Sequence, residues 1–112
     1  MKIIDLENIR IPSINRKFIK TGVLAPEYRA CKEMLRRNCF RNTKIKGPYK
    51  VEIYIDTYKD IDNGIKMIID AVAAAGVIDN DKNINKLIIS RKPIKKGQME
   101  NLIVTVESLS EK

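Results

Sequence analysis

Apolar and polar side chains alternate through one stretch near the middle of the chain, with Tyr49, Val51, Ile53 and Ile55 set against Lys50, Glu52, Tyr54 and Asp56. A period of two sends the sets to opposite sides of an extended backbone, so the stretch predicts a half-buried strand. The period then lengthens. Ile65, Ile68, Ile69 and Val72 share one helical stripe, with Asp62 placed as the N-cap and Gly76 as the stop. Upstream, Tyr28, Cys31, Leu35 and Cys39 recur at steps of three and four, and Pro26 suits a first turn. They predict a helix over 26–40 whose other faces carry Arg29, Lys32, Arg36 and Arg37. Residues 1–11 mix Ile and Leu with charged residues and stop at Pro12-Ser13, as a first or edge strand would. Two further strands are expected over 87–91 and 102–107. The basic run Lys92-Pro93-Ile94-Lys95-Lys96-Gly97-Gln98 between them reads as the long tip of a hairpin.

The predicted order is β-α-β-α-β-β, and the middle strand-helix-strand unit should be a right-handed parallel crossover. This is an α+β fold: a mixed sheet of about four strands with two helices, in one domain over 1–112. The longest apolar stretch, 71–78, is far too short to span a bilayer, and Met1-Lys2-Ile3-Ile4-Asp5 lacks a secretory leader pattern. A cytoplasmic protein without a membrane partner is expected.

Charge sharpens the picture. The 112 residues carry a net charge of +8. Residues 10–50 hold twelve basic side chains against only Glu27 and Glu33, whereas 52–81 hold seven of the fourteen acids. Such a basic half suits phosphate contacts. The candidates are Asn15, Arg16, Lys17 and Lys20 in a loop, Arg29 and Arg36 on the first helix, and Lys95 and Lys96 in the second positive patch. Aromatics able to stack on bases are few, with Tyr49, Tyr54 and Tyr58 the main ones, so double-stranded or branched DNA read through its backbone fits better than single strands.

The chain has no histidine, which removes serine-histidine triads and histidine-built metal sites. Catalysis would have to run on carboxylates, lysine, tyrosine or a metal. Cys31 and Cys39, eight apart on one predicted helix, stand about 12 Å apart by helical rise, beyond disulfide reach, and read as buried thiols.

Against this basic background, Asp60 and Asp62 sit in the run Tyr58-Lys59-Asp60-Ile61-Asp62-Asn63, Lys66 follows one turn later, and Asp81 ends the segment. Magnesium takes oxygen from one or two carboxylates and leaves its other positions to water and substrate phosphate, which an Asp-x-Asp loop can serve. A metal so held supports phosphodiester hydrolysis without histidine. Lys66 could offset charge growing on the phosphorane. Each residue also has an ordinary role: Asp62 as a cap, Asp60 as a loop residue, Lys66 as a partner of Asp62, and Asp81 as a turn residue. Asp70 and Asp79 read as structural.

Taken together, Asp60-Ile61-Asp62-Asn63, Lys66, Asp70-Ala71, Ala75-Gly76-Val77-Ile78 and Asp81 resemble the signature of the RusA family of Holliday junction resolvases. Pro12-Ser13-Ile14-Asn15 is similar to a Pro-Ser-x-Asn element near that family's N-terminus. The likeness covers most of the chain and is strongest over 51–91. It implies a magnesium- or manganese-dependent, homodimeric endonuclease that nicks two symmetric strands of a four-way junction. Asp60, Asp62 and Asp81 would be its metal carboxylates and Lys66 an essential helper. The chain departs from the pattern in having Asn80 where the family commonly has an acid, and Gly64 where it has a leucine-like residue, which should loosen the first helical turn.

The remaining alternatives are a nuclease for other branched DNA and a basic DNA-binding protein without catalysis. A small RNA-binding module is a more distant option. A crossover helix of roughly 20 Å would separate Asp81 from Asp60 and Asp62. Either a loop folds Asp81 back within its own chain, or a two-fold dimer brings it from the partner.

Overall fold

The computed structural model describes residues 1–12, 26–40 and 44–109. Strands β1 (Lys2–Ile9), β2 (Tyr49–Thr57), β3 (Ile84–Pro93) and β4 (Glu100–Ser108) form one mixed sheet in the order β1-β4-β2-β3. Helices α1 (Pro26–Arg37) and α2 (Ile65–Ala74) complete the α+β domain, and a 3-10 turn, Asp81–Asn83, leads into β3. No helix among the described residues is long and apolar enough to cross a membrane.

Alternation decides which face of the sheet is covered. Val51, Ile53 and Ile55 of β2 and Leu102, Val104 and Val106 of β4 are buried, while the side chains between them are less so. The helices supply the other half of this core with Tyr28, Cys31 and Leu35 from α1 and Ile65, Met67, Ile68, Ala71 and Val72 from α2. Truncating a fully buried member such as Ile53 or Ile68 to alanine should cost about 2–5 kcal/mol, because the cavity left behind refills only in part. Both cysteines are buried and unpaired, as their spacing implies. Burial pushes each thiol up to about 11.

β2 pairs β3 in parallel, with α2 as the crossover between them. The expected hairpin does not form. β3 and β4 flank β2 on opposite sides, so their connection crosses the end of β2 instead of turning back on itself. The burial of the strands gives the reason: β2 is buried at alternate positions along its length and takes a central place, whereas β3 is largely exposed and takes the edge beside it.

Helix α2 also starts differently from expectation. Its N-cap is Gly64, at φ 79°, and no side chain caps it. Asp62 contributes only its backbone carbonyl, which accepts from Ile65 N at 3.4 Å. A side chain at position 64 would be strained by the left-handed backbone, and its Cβ would stand 2.9 Å from Ile11 Cγ2. Glycine therefore fits the close approach of Ile11, where a looser first turn was expected. Gly76, at φ 84°, follows the C-cap Ala75 and ends the helix as anticipated.

Candidate functional site

Three segments meet at the end of the sheet where β2 terminates. The first is the chain leaving β1, where Asn8 adopts φ 57° beside a register shift and donates its backbone N–H to Asn101 Oδ1 at 3.0 Å. A bulge of this kind bends a strand, and here it precedes the buried Ile11. The second is the aspartate loop, residues 58–64. The third is the basic connection 94–99, held across the strand end by Ile94 N donating to Thr57 O at 3.3 Å.

Glu100 ties the three together. It is 1% exposed, and its Oε1 accepts from Ile11 N at 2.9 Å and from Lys59 Nζ at 2.9 Å. Its Oε2 accepts from the Thr57 hydroxyl, which in turn accepts from Lys59 N at 3.1 Å. The Lys59 ammonium also donates to Ile11 O and lies 4.8 Å from the centre of the Tyr58 ring. Arg91 clamps the outer side, donating to Lys59 O at 3.2 Å and to Thr57 O at 3.5 Å. Asn63 closes the loop, its backbone N–H bonded to Asp60 O at 3.0 Å and its side chain donating to Pro12 O at 3.2 Å.

This anchoring leaves the two aspartates outward. Asp60 and Asp62 are exposed, and neither side chain has a hydrogen-bond or ion-pair partner among the described residues. Two hard-oxygen ligands presented in this way suit magnesium, which takes one or two carboxylates from a protein and fills the rest of its octahedron from water and phosphate.

Asp81 lies elsewhere in its own chain. It precedes β3, whose first residue Ile84 pairs with Tyr49 at the start of β2, the opposite end from the aspartate loop. The turn around Asp81 does fold back onto α2, where Lys66 Nζ donates to Asp81 Oδ2 at 2.6 Å and stands 3.1 Å from Asp70 Oδ1. The hydrogen bond and charge of Lys66 hold the Asp81 carboxyl below its ordinary range, and the same bond raises Lys66. Lys66 thus pairs with Asp81 and Asp70 instead of Asp62. Among the described residues, no three acidic or cysteine side chains converge as a ligand set.

The other expected contacts divide. Asn15, Arg16, Lys17 and Lys20 lie outside the described residues, as do Ser13 and Ile14 of the Pro-Ser-x-Asn element. Arg29 is exposed, whereas Arg36 is paired with Glu33, which the guanidinium hydrogen bonds of Arg36 and Arg37 hold at about 2. Lys95 and Lys96 are exposed in the connection beside the aspartate loop. Tyr49 is buried, its hydroxyl donating to Asp79 Oδ1 at 3.1 Å, and so offers no stacking surface. Asp79 is structural, as expected.

Glu100, Thr57, Lys59 and Arg91 were absent from the expected site. A signal existed for two of them. Glu100 keeps the period-two phase of Leu102, Val104 and Val106, and Thr57 that of Val51, Ile53 and Ile55. An acid on the inward side of a strand needs partners, because an unpaired buried charge is too costly to keep. Compared with models of known families the chain matches none, and no curated protein matches it.

Proposed function

We propose that the protein is a cytoplasmic, RusA-like, metal-dependent endodeoxyribonuclease that resolves four-way DNA junctions by paired symmetric nicks, acting as a homodimer. The observation that carries this reading is the adjacency of unpartnered Asp60 and Asp62 to the basic connection bearing Lys95 and Lys96 at one end of the sheet. Exposed acids repel a DNA backbone, so their presence beside lysines on a chain of net charge +8 needs a reason. Cation binding supplies it.

In this reading Asp60 and Asp62 hold magnesium or manganese. A cation held by them would supply polarisation of the scissile phosphate and activation of water near neutral pH. Lys95 and Lys96 grip flanking phosphates. Lys66, whose side chain is 58% exposed, is available to offset charge developing on the phosphate, and Asp70 orients it. Asp81 stands at the opposite end of β2 from the aspartate loop of its own subunit, so its place in the metal site is taken through a second copy of the chain, with the Lys66 contact exchanged for the cation. Mixed dimers carrying Asp60→Asn in one subunit and Asp81→Asn in the other test this: a shared site retains one intact centre, and a site within one subunit retains none.

The primary experiment incubates the pure protein with a synthetic four-way junction, with and without magnesium. Paired, metal-dependent nicks at symmetric positions are expected. Salt-sensitive binding without nicking under any divalent cation would leave a non-catalytic DNA-binding protein. Faster cutting of flaps or forks than of junctions would move the substrate to other branched DNA.

A further inference from the structure

We propose that Glu100 is the positioning residue of the aspartate loop, an inference that rests on the nuclease reading for its catalytic consequence. Glu100 touches no exposed surface and is too deeply buried to reach a substrate. Its carboxylate contacts one group from each strand end that frames the loop: Ile11 N after β1, the Thr57 hydroxyl at the end of β2, and Lys59 Nζ next to Asp60. Glu100 itself opens β4. One buried side chain therefore ties both strand ends to the loop from the inside, opposite the outer clamp of Arg91.

Two features make this a matter of position and not merely of packing. The charge is matched one to one, since Lys59 is 17% exposed and Glu100 is its ion-pair partner, while Asp60 one residue later has none among the described residues. Without Glu100, Lys59 would be the nearest cation in sequence to Asp60 and free to neutralise it. Glu100 thus keeps a positive side chain turned inward, so that Asp60 keeps its negative charge for a cation. A metal pair of carboxylates also needs its separation fixed to a fraction of an ångström, which a loop anchored at only one end does not provide.

The test compares the full-length protein with Glu100→Gln, which retains an acceptor oxygen and removes the charge, and with Lys59→Met, which breaks the same tie from the other side. Amide hydrogen exchange by NMR is read at Ile11, Lys59 and Asn63, with Ile53 and Val104 in the sheet as references. Loop amides should exchange about ten-fold faster in both variants while the sheet amides keep their rates. In parallel, the magnesium concentration giving half-maximal junction nicking should rise in Glu100→Gln with junction affinity unchanged, and excess magnesium should restore the rate. Unchanged loop exchange, or equal quickening of loop and sheet, overturns the positioning role. Wild-type protein that nicks no branched DNA overturns the nuclease reading instead, and the exchange result then decides the role of Glu100 in placing the loop.

Discussion

The Lys66 ammonium lies 2.6 Å from Asp81 Oδ2, fifteen residues further along the chain. That contact joins the first turn of α2 to the turn before β3, and it commits two of the four expected catalytic side chains to each other. A depressed carboxyl pKa contributes stability above its unfolded value and loses it as pH falls through the folded value. The Asp81 tie should therefore persist through neutral and mildly acidic solution and release only below the ordinary 3.8. Carbon-detected NMR titration should find Asp81 below that value, and Lys66→Met should return it upward.

Asp60→Asn or Asp62→Asn should abolish magnesium-dependent nicking while junction binding is kept or tightened, because each removes a repulsive charge from a surface without a compensating partner. Gel-shift and cleavage assays on the same preparation read both quantities. Binding lost together with cleavage would count against the assignment.

Replacing Lys95 and Lys96 together by alanine should weaken DNA binding without sequence bias. If each contacts one phosphate of a duplex arm, the slope of log K against log salt should become shallower by about 1.8. A salt series with unchanged slope would remove the connection 94–99 from the binding surface.

Glu100→Ala should lower stability by about 3–5 kcal/mol, since it strands Lys59 in a site where its ammonium is largely withdrawn from water. Glu100→Gln should cost less, because its one side-chain oxygen still accepts from Ile11 N while its amide NH2, in place of the other oxygen, can donate to the Thr57 hydroxyl oxygen. Urea unfolding measures both, and equal losses would mean that the charge on Glu100 contributes nothing.

Gly64→Ala should be destabilising by at least about 1–2 kcal/mol from its left-handed backbone alone, with a further contribution from the approach to Ile11 Cγ2. Gly76→Ala, at a similar φ but with open space around it, isolates the backbone contribution. Thermal melts of the two variants should therefore rank Gly64→Ala as the more damaging.

Local periodicity by itself determined the inventory of this protein. Tyr49 to Asp56 had to be a strand and Ile65 to Val72 a helix, because only those periods gather their apolar side chains on one side, and the parallel pairing of β2 with β3 follows from the helix between them. Buried thiols and an Asp-x-Asp loop after β2 were equally legible.

Only the tertiary structure decided which strand neighbours which, and hence what stands beside that loop. A basic run between two strands has the same local pattern whether it turns a hairpin or crosses a third strand, and it was the insertion of β2 between β3 and β4 that brought the connection bearing Lys95 and Lys96 to the strand end from which the aspartate loop leaves. The partners of Lys66 and Glu100 were settled in the same way. An ion pair depends on distances in space, and those exist only after the apolar faces have chosen how to stack.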